Sequence, residues 1–551
     1  MKRGGGFAGR SLRVLCGCAG LFATILLWSS PALAGGPTIN GTGSSYAAVA
    51  INQWVAQVAS LDGDNVNYST SSSVIGLNEF ALAQVDFGAS EIGYSTGQAN
   101  NVPPAGYSYQ YLPDVAGAIC LDYNLQSQTG QQITTMKLSS DVIAKIFTGA
   151  ISTWNNPAIV AENPGMALPS APIVVAYRTD PSGDNFLFSN YLNTVQQSQW
   201  GAFTQALSSP PGAQALWPTP PSGARSVGPY NFGNWNGVNG SDIASGYVFN
   251  NVNSITYVET AYAILHHDPC IAIQNASGAF VMPSRDNDAE ALLSDQLEPD
   301  LEQLLTGVYL SPAPTAYPIS AYSYLITGVG SEVSSDKATV MAQFVRFIAC
   351  QGQQSAGQLG YSPLPPNLVQ ADFDAVQRIT GVALPPPTAQ NCLNPYVDGQ
   401  IPLLGEPNIS TTAQGPTSAG AVAAGPITTT TGAASGGAAG AGAGHGGTGA
   451  GSGASGTGGS AGSTAGAASG STAQAVAVAT TTTTAPPVIP AGGQAFGVEL
   501  EHVTTSLLGV KGPTGQIALY TTIFLALIIL PPAIALFRRR RHGTDGGEVS
   551  E

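Results

Sequence analysis

Arg178-Thr179-Asp180-Pro181-Ser182-Gly183-Asp184 places a guanidinium four residues ahead of a Ser-Gly pair. A Ser-Gly turn that opens a helix leaves backbone N–H groups unpaired, with the positive end of the helix dipole behind them, and such a turn holds anions. Arg178 adds a two-pronged donor suited to an oxyanion. The plainer alternative is an ordinary turn in which Ser182 caps a helix and Arg178 pairs with Asp180 at the surface. Three other stretches supply related groups. Asn40-Gly41-Thr42-Gly43-Ser44-Ser45-Tyr46 is a second Gly/Ser turn, residues 69–73 are an unbroken Ser/Thr run ending at Ser73, and residues 85–91 end on the carboxylate of Glu91. Three hydroxyl-rich helix openings, one arginine and one acid would form an oxyanion pocket if the fold gathers them. Separately, each is only a capping signal. No nucleophile, base and orienter set stands out, so the sequence offers no catalytic residues and calls for no cofactor. His266 and His267 precede Asp268 without a third metal ligand at a suitable spacing, and read as a surface turn.

The elements that must position these groups are legible as alternating strands and helices. Ile173-Val174-Val175-Ala176-Tyr177 reads as a strand, and Asn185 to Leu192 as the helix that the Ser-Gly turn opens. Val49, Trp54, Val55 and Val58 recur at helical spacing after the first turn; Val66-Asn67-Tyr68 is a short strand, and a helix over 74–83 follows the Ser/Thr run. Trp154, Trp200, Trp217 and Trp235 read as packing residues. Residues 295–302 read as the acidic, solvated face of a helix.

Around this region the 551-residue chain changes character by segment. Residues 1–34 carry Lys2, Arg3, Arg10 and Arg13, an apolar run, and Ala32-Leu33-Ala34, the pattern of a secretory signal. Residues 35–409 hold 27 acidic side chains against 8 Lys and Arg, which excludes nucleic acid and anionic membrane surfaces as partners of that part. Cys120, Cys270, Cys350 and Cys392 form an even set in an exported chain, where disulfides are the default; three connectivities are open. Residues 410–487 are mostly Gly, Ala, Ser and Thr and predict a disordered linker. A juxtamembrane segment, 488–516, has no legible role. Residues 517–537 give 21 positions without a charge, enough for one transmembrane helix, and Arg538 to Arg541 place the tail 538–551 in the cytoplasm. The expected location is thus the cell membrane, crossed once, with the folded part outside.

From Thr38 to about Thr380 the chain resembles the extracytoplasmic phosphate-binding protein of bacterial ABC phosphate importers. The resemblance is carried, in order, by 41–46, 85–91, 141–149 with Ile151-Ser152-Thr153-Trp154-Asn155, 163–169, 178–188, 255–263, Tyr317-Pro318-Ile319-Ser320 and 360–365. It implies an α/β, two-lobed periplasmic-binding-protein (Venus-flytrap) fold. Lobe one would comprise 37–117 and 315–384, and lobe two 118–314, with ligand between them. Pairs within one lobe would then join Cys120 to Cys270 and Cys350 to Cys392. Carried over position by position, the family's ligand contacts fall on Ser45, Tyr46, Ser73, Glu91, Arg178, Ser182, Gly183 and Asp184, with Asp180 as the carboxylate partner of Arg178. The implied partners are inorganic phosphate or a related oxyanion and ABC permease subunits.

Two positions depart from the family pattern. Glu91 stands where the family has aspartate, which accepts the proton that phosphate carries and sulfate lacks. Asp184 stands where the family has threonine, a donor; an ionised carboxylate cannot donate. Either Asp184 turns away as a first-turn residue that suits the helix dipole, or the pocket takes something other than phosphate. A membrane-tethered importer component, a surface sensor or adhesin on the same fold, and an exported hydrolase are the functional classes that result, in that order.

Overall fold

Each hydroxyl-rich turn follows a strand and opens a helix, and these strands share one eight-stranded sheet. The structure, a computed structural model, describes residues 36–61 and 64–411. The leader 1–34, nearly all of the linker 410–487, the segment 488–516, the span 517–537 and the tail 538–551 lie outside the described residues. Among the described residues no helix is long and apolar enough to cross a membrane.

Strand β1 (Thr38–Gly43) leads into α1 (Ala48–Leu61), β2 (Asn65–Thr70) into α2 (Ser73–Ala81), and β3 (Phe87–Ser90) ends at Glu91. Strand β4 (Tyr109–Asn124) follows. Then β5 (Val174–Arg178) leads into α3 (Gly183–Val195), β6 (Trp235–Val238) into α4 (Ser241–Asn250), and β7 (Ser254–Glu259) into α5 (Thr260–His266). Strand β8 (Ser320–Gly328) completes the sheet, whose order is β2-β1-β3-β8-β4-β7-β5-β6. Helix α1 forms because Ile51, Trp54 and Val58 fall on one face at helical spacing, and all three are buried. Ser72 and Ser182 cap α2 and α3 by accepting from Ile75 N and Asn185 N. Strand β4 is buried along all but its last residue, as a strand covered on both faces must be.

The pairing of β4 decides where the site lies. Its first part, through Ala118, runs antiparallel to β8, and its second part, from Ile119 to Asn124, runs antiparallel to β7. Because β8 is also antiparallel to β3, the parallel set β1, β2 and β3 points the same way as β4. The parallel set β5, β6 and β7 points the opposite way. The carboxyl ends of both sets therefore converge on the middle of β4 from opposite sides, and in open α/β sheets the crevice beyond the carboxyl ends is where ligands bind. The chain passes between the two halves within β4 and again before β8, where Ile119 N donates to Ile319 O at 2.9 Å. This two-halved α/β arrangement is the one the resemblance implies.

The structure joins Cys120 to Cys270 and Cys350 to Cys392, with Cα separations of 5.5 and 4.8 Å. The second bond ties down chain beyond residue 384, where Asn394 donates to Ala349 O and Leu364 O and Asn408–Ile409 pairs in parallel with Gln296–Leu297. The acidic helical face expected over 295–302 is not there. Gln296–Leu297 and Gln303–Leu304 are short antiparallel strands, and Asp295, Glu298, Asp300 and Glu302 are buried. The two aspartates bind local backbone, Asp295 accepting from Gln296 N at 2.8 Å and Asp300 from Glu302 N at 3.2 Å, while Glu302 accepts from the Ser95 hydroxyl. Aspartate favours turns for this reason, and counting charges overlooked it.

Candidate functional site

The carboxyl ends of β1, β2 and β3 build one wall around Glu91, which is 1% exposed. Its Oε1 accepts from the hydroxyls of Ser44 and Ser323, the latter at 2.9 Å, and its Oε2 accepts from Ser73 Oγ at 2.6 Å. Burial pushes the Glu91 carboxyl up to about 7; the serine hydroxyls oppose this and the charge of Asp184 adds to it. Ser44 reaches Glu91 because β1 ends on Gly43 at φ +135°, where an added Cβ would lie 2.2 Å from Ala89 O. Ser323 sits where the pairing of β8 with β4 shifts: Ser323 pairs with Val115 and Tyr324 with Pro113, so β4 carries an extra residue, Asp114, opposite Ser323, and bulges of this kind re-aim side chains.

The opposite wall is built from the ends of β5 and β6. Arg178, the last residue of β5, is fully buried. Its Nε and Nη2 both bind Asp180, Nε at 2.8 Å, and Gly240 N donates to the same carboxylate at 3.1 Å. Burial works to raise the Asp180 pKa, but its bonds to Arg178 outweigh burial and hold it below the ordinary value. Nη1 of Arg178 points elsewhere, to Asp184 Oδ2 at 2.5 Å, Ser241 Oγ at 2.6 Å and Ser45 Oγ at 3.2 Å. Ser241 in turn donates to Asp184 Oδ2 at 2.7 Å. Burial raises the Asp184 carboxyl above its ordinary range against the pull of Arg178, and its second oxygen is buried with no hydrogen-bond partner.

The two walls touch. Ser45 Oγ lies 2.9 Å from Ser241 Oγ, Gly183 N donates to Ser73 Oγ at 2.9 Å, and the Tyr262 hydroxyl donates to Ser45 O at 2.7 Å. Ser45, Ser73, Glu91, Arg178, Gly183 and Asp184, scattered over 140 positions of sequence (45 to 184), thus form one continuous polar cluster. Two other expected contacts also serve the fold: the Ser182 hydroxyl oxygen caps α3 by accepting from Asn185 N at 3.2 Å, the Tyr46 hydroxyl donates to Ala321 O at 3.3 Å, and the Tyr46 carbonyl accepts from Tyr361 at 2.6 Å.

Arg178 does pair with Asp180, but in the interior and not at the surface. Asp184 does not turn away from the cleft; it faces Arg178. A first-turn acid suits the helix dipole wherever its side chain points, so that argument could not fix the direction. Sequence reasoning missed Ser44, Ser241 and Ser323. Ser241 had a signal: Asn239-Gly240-Ser241 is a fourth Gly/Ser turn at a helix start, with Gly240 at φ +86°. Ser323 had none, since its role depends on a bulge in a strand remote in sequence.

Chemically, the cluster offers hydroxyl and amide donors and one guanidinium, which suit an oxyanion. It also offers two acceptors: Glu91 and Asp184. His266 ends α5 and pairs with Asp242 at 3.0 Å. Among the described residues, no group of three or more His, Cys, Asp or Glu is arranged to hold a metal ion.

A family model described as a PBP superfamily domain matches residues 29–351. The phosphate-binding protein PstS of Xylella fastidiosa strain 9a5c is 30% identical over 335 residues, which cover 60% of this chain and 83% of that protein. The phosphate-binding protein PstS of Pasteurella multocida is 30% identical over 335 residues, 60% of this chain and 88% of that protein. Phosphate-binding protein PstS 3 of Mycobacterium tuberculosis is 29% identical over 337 residues, 60% of this chain and 84% of that protein.

Proposed function

Because the chain belongs to the PBP superfamily, among the PstS phosphate-binding proteins, we propose that it captures inorganic phosphate outside the cytoplasm and hands it to an ABC permease. The role consists of binding and release, with no bond made or broken. The observation that carries the reading is the meeting of Ser45, Ser73 and Glu91 from one half with Arg178 and the Gly183 amide from the other, all buried. Donors from both halves converging on one place are what a cleft needs to close on an oxyanion, and Glu91 is the acceptor for a protonated ligand oxygen. The leader 1–34 and the uncharged stretch 517–537 support export and anchoring by one helix, with the folded part outside.

A calorimetric titration of the full chain in detergent with phosphate, arsenate and sulfate tests this. Phosphate and arsenate bind, and sulfate, which has no proton for Glu91 near neutral pH, does not. Binding of sulfate as tight as that of phosphate would refute the reading. A second reading, a surface sensor or adhesin that has lost the phosphate site, is favoured by one observation: Asp184 already takes Arg178. Under that reading none of the three anions binds.

A further inference from the structure

Asp184 occupies the donors that an oxyanion would use. Its Oδ2 takes Arg178 Nη1 and the Ser241 hydroxyl, while Oδ1 is buried and accepts nothing. A buried acceptor without a donor is unfavourable, so a ligand that enters here is favoured if it brings a hydrogen to Oδ1. A fully ionised oxyanion brings none and meets like charge. Phosphate brings one hydrogen as the dianion and two as the monoanion. Glu91, on the opposite wall, is the place for one; Asp184 is the place for the second.

Resting on the phosphate reading, we propose that Asp184 determines which protonation state of phosphate this cleft accepts: it is a second proton acceptor opposite Glu91, so the site takes the singly charged dihydrogen form. Until that ligand arrives, the Asp184 carboxylate acts as a tethered anion that competes for Arg178. The charges around it support this selection. The charge of Asp184 acts on Arg178 and Asp180 from β5 and its turn, Glu91 from the end of β3, Glu259 and Tyr257 from β7, Tyr46 at the first turn, and Tyr262 from α5. Arg178 is the cation in that set, and Asp180 already claims two of its nitrogens. A dianion adds two charges to a group in which carboxyls outnumber the guanidinium; the dihydrogen form adds one and donates to both flanking acids. Burial raises both the Glu91 and the Asp184 carboxyl above their ordinary ranges, which favours acceptance of a hydrogen from the ligand.

The test is calorimetric titration of inorganic phosphate into the full chain and into D184T and D184N, from pH 8 to pH 5, with a thermal melt of each protein. At pH 8 both variants bind phosphate at least tenfold more tightly than the natural chain, and the gap closes toward pH 5 as protons become available to Asp184. The asparagine variant keeps the side-chain shape, so the comparison stands if the threonine variant does not fold. Equal affinities at pH 8, or a gap that stays constant with pH, overturns the role of Asp184 and leaves the phosphate reading in place. Absence of phosphate binding by all three proteins at every pH overturns both.

Discussion

A methyl group placed on Gly183 would lie 2.0 Å from Glu91 Oε2 and 2.7 Å from Ser73 Oγ, across the line where the two halves of the sheet meet. Gly183 starts α3 and Glu91 follows β3, so the absence of one side chain is what lets the helix end approach the acid. Gly183→Ala is expected to fold, because alanine suits a first helical turn, but to keep the halves apart. Phosphate affinity measured by calorimetry should fall at least tenfold, ~1.4 kcal/mol or more. An affinity within twofold of the natural chain would show that closure does not run through this contact.

Arg178 stabilises the fold as well as offering a charge. Removing one partner of a buried ion pair leaves an uncompensated charge and destabilises by about 3–5 kcal/mol, and Arg178 faces both Asp180 and Asp184. Arg178→Met should therefore lower the denaturant midpoint markedly, and Asp180→Asn in the same chain should restore part of the loss by removing one stranded carboxylate. If the double variant is no more stable than the single one, the pair is not what holds this region.

How much of this was legible follows from what each signal depends on. The Gly/Ser turns, the strands before them and the helices after them are local in cause, set by turn chemistry and apolar period. Strand β5 and helix α3 lie within two or three residues of where the pattern puts them. Their convergence was reachable only through the family resemblance, because it depends on β4 exchanging one antiparallel partner, β8, for another, β7, at residues 118–119. The buried acids show the limit of composition: Glu298 and Glu302 look like a solvated face until the backbone of 295–304 turns them inward. The direction of the Asp184 side chain, on which the choice of ligand form rests, is a tertiary fact with no local signature.

The two disulfides close loops of different size, with sequence separations of 150 and 42 residues. In the chain-entropy account, loops of these sizes correspond to about 5 and about 4 kcal/mol. Replacing Cys120 and Cys270 by serine should thus destabilise at least as much as replacing Cys350 and Cys392, as read by urea unfolding. The second pair has a local consequence of its own, since it anchors the segment that carries Asn394. A chain ending at residue 411 should melt cooperatively, whereas one ending at residue 384 should lose stability along with that bond and with the pairing of Asn408–Ile409 to Gln296–Leu297. Identical melting of the two would show that residues 385–411 contribute nothing.

Stability should fall as pH rises from about 5 to 8, the reverse of what paired surface carboxylates produce. Burial raises Glu91 from 4.5 to about 7 and Asp295 from 3.8 to about 8, and it also raises Asp114, Asp122, Glu259, Asp288 and Asp372. A group whose native pKa lies above its unfolded value binds more protons in the native state through that window. Its contribution is complete below the unfolded value and disappears as pH passes the native one. Asp180 acts in the opposite sense: its pKa is lowered, so its contribution is present above the ordinary aspartate value and is lost only in stronger acid. For Glu91 the shift from 4.5 to about 7 corresponds to roughly 3 kcal/mol at ~1.4 kcal/mol per pH unit. Glu91→Gln should flatten the melting temperature between pH 4.5 and 7 by that share and leave the part above pH 7, where Asp295 still titrates, in place. Melting temperatures of the unliganded chain that rise from pH 5 to 8 would mean that these acids are ionised in the native state and that their burial is relieved by contacts other than those described.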